Sequence, residues 1–109
     1  MSLITMSKII SEQEFSSALT CQLEGLHIFR SVSGPGRSGV IAAVYASYIL
    51  GIPFLPQGAP IPDNMRPHLV IDTAQQTGRT LRKAAKKACT PFYFAVYSEP
   101  PRLHFFYER

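Results

Sequence analysis

Cysteine is scarce in this chain. Cys21 and Cys89 are the only two, and no Cys-x-x-Cys pair occurs. Two thiols are too few for a disulfide framework, so a reducing, cytoplasmic setting is expected. Long apolar runs are missing as well. The longest, residues 40–50, is too short to span a bilayer, and no membrane partner is expected. Near the start, Lys8 is soon joined by Glu12 and Glu14, and no apolar stretch leads to a small-residue cleavage site, so no signal peptide is expected. Internal repeats and low-complexity segments are also lacking. His27, His68 and His104 show no metal-ligand spacing. His27 reads as a satisfied strand histidine, His68 as an exposed residue before a strand, and the two cysteines as small residues buried on helices.

What remains describes a globular chain. Its 109 residues are 46% hydrophobic and 17% charged, enough for one domain with a real core, residues 1–109. The formal net charge of +4 favours anionic partners only weakly. That charge is concentrated, however. Arg79, Arg82, Lys83, Lys86 and Lys87 fall at i, i+3, i+4, i+7 and i+8, one helical face, with Leu81, Ala84, Ala85 and Ala88 opposite. Such a face is either the solvated side of a surface helix or a surface that attracts phosphate or RNA.

The order of elements follows from local signals. Ser11-Glu-Gln-Glu14 is a capping box that opens a helix running to about residue 24, with Phe15, Ala18, Leu19 and Leu23 inward and Gly25 as its stop. Residues 26–32 (LHIFRSV) read as a strand, 33–36 as a turn, and 39–50 as a helix apolar nearly all round. A helix of that kind needs cover on more than one side, from a sheet and from a second helix or a partner chain. Residues 52–55 read as a short strand before a Pro/Gly-rich loop over 56–67. Residues 69–72 form the next strand, 79–89 the basic helix, 92–97 an aromatic strand, and 103–107 a last edge strand. The aromatics of these last segments pack one face into the core or stack a heterocycle. This α-β-α-β-β-α-β-β order implies an α/β fold with a largely parallel sheet and helices on both faces. Ligands of such sheets sit beyond the carboxyl ends of the strands, where both glycine-bearing turns fall.

Those turns carry the candidate chemistry. In HLVIDTAQQTGRTLRKAAKKA, residues 68–88, an apolar strand ends on Asp72, and Gln76-Thr77-Gly78-Arg79-Thr80 then leads into a helix. Unpartnered N–H groups, a positive dipole end and two hydroxyls make a phosphate cradle. A carboxylate just before it suits a ribose diol or a magnesium ion beside the phosphate. The other turn, Gly34-Pro-Gly-Arg-Ser-Gly39, fits G-x-G-x-x-G, but the acid at the right distance, Asp63, lies in a Pro-rich loop. The same stretch, SVSGPGRSG, is similar to the phosphate loop of tyrosine phosphatases, with Ser31 where a thiolate is needed.

Together, in this order, the two turns resemble the type I phosphoribosyltransferases. Residues 68–81 match their motif for 5-phosphoribosyl-1-pyrophosphate (PRPP), and RSVSGPGRSGVIAAVYASYILGIPF resembles their upstream strand, pyrophosphate turn and Leu-Gly-Ile-Pro helix end. The resemblance spans roughly residues 26–96. It implies that Asp72 meets the ribose hydroxyls and Mg2+. It implies that Gln76, Thr77, Gly78, Arg79 and Thr80 hold the 5-phosphate. Gly36, Arg37, Ser38 and Gly39 would contact pyrophosphate, with Arg37 and Asp72 as the catalytic pair. A cis non-proline peptide is expected at Gly36-Arg37 or Arg37-Ser38. The implied activity is transfer of phosphoribose to a nucleobase; the alternative is a non-catalytic module that senses PRPP or a nucleotide, or that binds RNA. A homodimer is expected. Three departures stand out: Thr73 replaces the second acid, only residues 56–67 are available for the flexible loop, with Asn64, Met65 and Arg66 as a stunted lid, and the hood over the base is reduced. Gln76, where some relatives carry an acid, cannot accept a proton.

Overall fold

A computed structural model describes residues 9–99 and 102–108. Its elements are β1 (Ile9–Ile10), α1 (Glu12–Leu23), β2 (Ser31–Ser33), α2 (Gly36–Leu50), a 3-10 turn (Asp63–Met65), β3 (His68–Gln75), α3 (Arg79–Lys87), β4 (Tyr93–Ser98) and β5 (His104–Phe105). The main sheet is parallel, in the order β2-β3-β4, and a second parallel pair joins β1 to β5. The alternation of β3 explains the layers. Leu69 and Ile71 face the cluster built with α1 and α2, whereas Val70 faces Leu81, Ala84 and Ala85 of α3. Helices therefore cover both faces, as the order of elements implied.

α1 and α3 form where their local chemistry placed them, whereas α2 starts at Gly36, ahead of the expected residue 39. The α1 capping box is closed, with Glu14 N–H donating to Ser11 Oγ at 3.1 Å and Ser11 N–H directed at Glu14 Oε1 at 3.5 Å. Phe15, Leu19 and Leu23, spaced i, i+4, i+8, are fully buried, and each contributes about 2 kcal/mol of hydrophobic stabilisation. Gly51 ends α2 in the left-handed region, φ +68. Cys21 lies on the outer side of α1 and Cys89 follows α3, so both thiols are exposed rather than buried.

Three strands differ from expectation for identifiable reasons. β2 starts only at Ser31, because its partner residue His68 is preceded by Pro67, which has no N–H for a ladder; Arg30 N–H takes the Pro67 carbonyl at 2.9 Å instead. Residues 26–30 are irregular, and His27 is exposed in a turn. The expected strand over 52–55 shrinks to one parallel bridge, Val32 to Phe54, between Pro53 and Pro56. β3, by contrast, runs three residues past Asp72 to Gln75, paired with β4 as far as Ser98. Since β2 stops level with Val70, Asp72 stands beyond the sheet on that side.

Met65 and Arg66, expected in a stunted lid, are instead held near the start of β3. Ser31 Oγ donates to the Met65 carbonyl at 2.6 Å, and Arg66 Nη1 donates to the Cys89 carbonyl at 3.0 Å. His68, expected to be exposed, is buried at 0% exposure.

Candidate functional site

Both helices that open toward the carboxyl edge of the sheet lack a side-chain cap. α3 begins after Gly78, whose φ is +78, and α2 begins after Pro35. α1, at a different place in the fold, has its full capping box. Uncapped first turns leave backbone N–H groups free for an anion. At α3, Thr77 Oγ1 makes a 3.3 Å contact with Arg79 N–H, and Arg82 Nη1 holds the Thr77 carbonyl at 2.9 Å, which fixes the loop. A side chain at Gly78 would meet Gln75 Oε1 at 2.8 Å as well as the strain of a positive φ.

The cradle opens into a cleft of about 300 Å³ whose walls include Asp72, Gln76, Thr77, Arg79, Thr80 and Glu99. Asp72, Ala74 and Glu99 also border a second hollow that reaches Ser38 and Tyr107. Ser38, Tyr107 and Glu108 continue into an outer one of about 390 Å³, which ends at Arg37 and Ile41. The two sequence motifs thus border a series of neighbouring hollows with shared walls, and Asp72 stands between the first two. Burial pushes the Asp72 carboxyl above its usual range, and a 2.7 Å hydrogen bond from Thr73 N–H partly offsets this.

The second motif is placed differently from its sequence reading. Gly36, Arg37 and Ser38 form the first turn of α2, and Gly39 N–H donates to the Pro35 carbonyl at 3.0 Å. No cis peptide occurs there; among the described residues the cis bond is Arg66-Pro67, so the expected cis non-proline bond is corrected to trans peptides, with Gly36 entering the helix from the left-handed region at φ +63. Gly36 and Arg37 are exposed and Ser38 is half-buried at the groove. Gly34 and Gly39 serve packing. A side chain on Gly34 would lie 1.9 Å from the Gly39 carbonyl oxygen, and one on Gly39 would lie 2.7 Å from Gly34 backbone. This close approach of strand end and helix start accounts for the glycine pattern without a dinucleotide.

The sequence reading missed the C-terminal segment. Arg102 joins Glu99 (3.2 Å) and Glu108 (3.1 Å), and these carboxylates also accept from Leu103 N–H (2.8 Å) and Phe105 N–H (2.9 Å). The Phe105 N–H, with Arg102, holds the Glu108 carboxyl below its usual range. Tyr107 stacks on Phe105 at 5.4 Å and donates its hydroxyl to Thr73 Oγ1 at 3.0 Å. Thr73, in the place of the second acid, is buried and turned to this tail. Glu99 directly follows β4, and the rule that sites gather at strand ends would have flagged it. The α3 cations are all exposed, and neither Arg102 ion pair involves them.

No protein-family model matches the sequence, and no curated protein does. Solved structures do match. A purine phosphoribosyltransferase from Pyrococcus horikoshii superposes with a TM-score of 0.70 at 19% identity, covering 95% of this chain and 95% of that one. The chain has the phosphoribosyltransferase fold. A hypothetical protein from Neisseria gonorrhoeae with bound ppGpp matches at TM-score 0.71 and 13% identity, covering 97% and 92%. The xanthine-guanine-hypoxanthine phosphoribosyltransferase of Helicobacter pylori matches at 0.68 and 14%, covering 94% and 93%.

Proposed function

We propose that the groove binds PRPP with Mg2+ and that the protein transfers phosphoribose to a nucleobase. The observation that carries this reading is the row of adjoining hollows, which has an uncapped helix start at each end and a half-buried carboxylate between them. The first turn of α3 suits the 5-phosphate. Asp72, under-solvated by the fold, gains by accepting hydrogen bonds from ribose hydroxyls or by meeting a cation. Mg2+ takes one or two carboxylates and completes its shell with substrate phosphates and water, which fits Asp72 with Glu99 nearby. When bound, the ion would neutralise charge on the departing pyrophosphate. Arg37 and the free N–H groups of the α2 start hold that leaving group and stabilise the charge it gains as its bond to C1 breaks. The base nitrogen forms the new bond to C1, and its proton passes to solvent, since Gln76 offers no base.

Calorimetric titration of PRPP with Mg2+ into the wild type and Asp72→Ala tests this reading. Binding in the wild type, weakened at least tenfold by the substitution, is expected; a wild type that binds nothing overturns it. Pyrophosphate release with a panel of bases then measures turnover. A second reading, nucleotide sensing without turnover, draws support from the N. gonorrhoeae structure with ppGpp and from the hydrogen bonds that hold Met65 and Arg66. Tight nucleotide binding with no pyrophosphate release selects it.

A further inference from the structure

The carboxylate lost at Thr73 returns from elsewhere in the fold. Glu99, at the end of β4, lines the same two hollows as Asp72, and its side chain is only 9% exposed. Its backbone is fixed by a 2.7 Å hydrogen bond from Glu99 N–H to the Gln75 carbonyl. One carboxylate oxygen, Oε2, receives both Arg102 Nη1 and Leu103 N–H. The other, Oε1, has no hydrogen-bond partner among the described residues. A carboxylate oxygen left unpaired at the wall of a polar cleft can accept a hydrogen bond from a ligand hydroxyl. Meanwhile the Thr73 hydroxyl is buried, accepts from Tyr107, and carries no charge to offer in place of a carboxylate.

We propose that Glu99 is a ribose-binding residue of this cleft, sharing the sugar hydroxyls with Asp72 and doing the work of the acid that Thr73 replaces. The inference rests on the cleft taking a phosphorylated ribose. The Arg102 clasp has a defined part: it orients the carboxylate through Oε2 and leaves Oε1 to the sugar. A site built to accept from a hydroxyl discriminates sharply against the analogue lacking it, because the buried acceptor is then left unpaired.

Ribose 5-phosphate and 2-deoxyribose 5-phosphate are the probes, titrated into the wild type, Glu99→Gln and Glu108→Ala. The wild type is expected to prefer the ribose form by about tenfold or more. In Glu99→Gln that preference falls at least fivefold while affinity for inorganic phosphate is unchanged. Glu108→Ala, which opens the other half of the clasp and leaves Glu99 in place, retains the preference. Full preference in Glu99→Gln overturns the assignment, and an equal loss in Glu108→Ala overturns it in favour of tail opening. If ribose 5-phosphate does not bind the wild type at all, the phosphoribose reading itself falls, and this inference with it.

Discussion

His68 is a buried histidine whose proton affinity the fold strongly lowers. Burial, with the nearby Arg66 charge adding to it, lowers its pKa from 6.5 to about 4. Ser31 spends its one proton on the Met65 carbonyl, so the 2.7 Å contact to Ser31 Oγ requires a proton on His68 Nδ1; Nε2 then accepts from Ser33 Oγ at 2.8 Å. The unfolded chain takes up a proton near pH 6.5 and the folded chain only near 4. The stability due to neutral His68 is therefore complete above pH 6.5 and is lost as pH falls toward 4, about 3 kcal/mol in all. Denaturant melts of wild type and His68→Gln across pH 4–7 should differ in slope over that window, and parallel curves refute the assignment. The sequence concealed this residue because its hydrogen-bond partners, Ser31 and Ser33, come from β2, 37 and 35 residues away along the chain. Asp72 and Gly78 were legible because a strand, a carboxylate and a left-handed glycine before a helix are local facts. Glu99 was legible only as a residue at a strand end, since its place beside Asp72 depends on the register of β4 against β3.

At the level of elements, the helices were legible and the short strands were not. A capping box, a Gly stop and 3.6-residue periodicity are written within a dozen residues, whereas β2 and the bridge at Phe54 have limits set by prolines on neighbouring segments. The C-terminal segment shows the same dependence on distant partners. It was read as one edge strand, yet β5 holds just two residues, and the segment closes the groove through Tyr107 and the Arg102 clasp. Of the aromatics read as core or stacking residues, Phe94, Tyr97, Phe105, Phe106 and Tyr107 belong to the core built with α1 and α2, while Phe92 and Tyr93 are exposed at 39% each. Tyr107→Phe deletes one hydrogen bond and little apolar contact, a loss of about 1 kcal/mol. It should speed hydrogen exchange at Leu103 and Phe105, whose amides the clasp protects, and leave β3 unchanged. Unaltered exchange at those two amides would show that the tail docks without Thr73.

For the whole molecule, the open question is what covers α2. Its inner side, Ala42, Ala43 and Ala46, is fully buried, as the apolar pattern required. The sequence reading also demanded a second cover, and α1 supplies only part of it through Tyr45, which reaches Glu12. Val40, Val44 and Tyr48, at i, i+4 and i+8, remain exposed at 37%, 48% and 91%, one apolar stripe along the helix. Apart from Arg37, α2 carries no charge. Among the described residues no helix is long and apolar enough to cross a membrane, so a bilayer-spanning role does not account for the stripe. A homodimer is proposed in which two α2 helices pack across a twofold axis, a self-complementary arrangement that needs no second kind of surface. The stripe starts one turn from Arg37, so the partner would also wall the outer hollow of the groove. Sedimentation at micromolar concentration should give twice the chain mass for the wild type and the chain mass for Val44→Glu, with unchanged helical circular dichroism in both. A monomeric wild type would end the proposal and leave α2 as a helix with one apolar face turned to water.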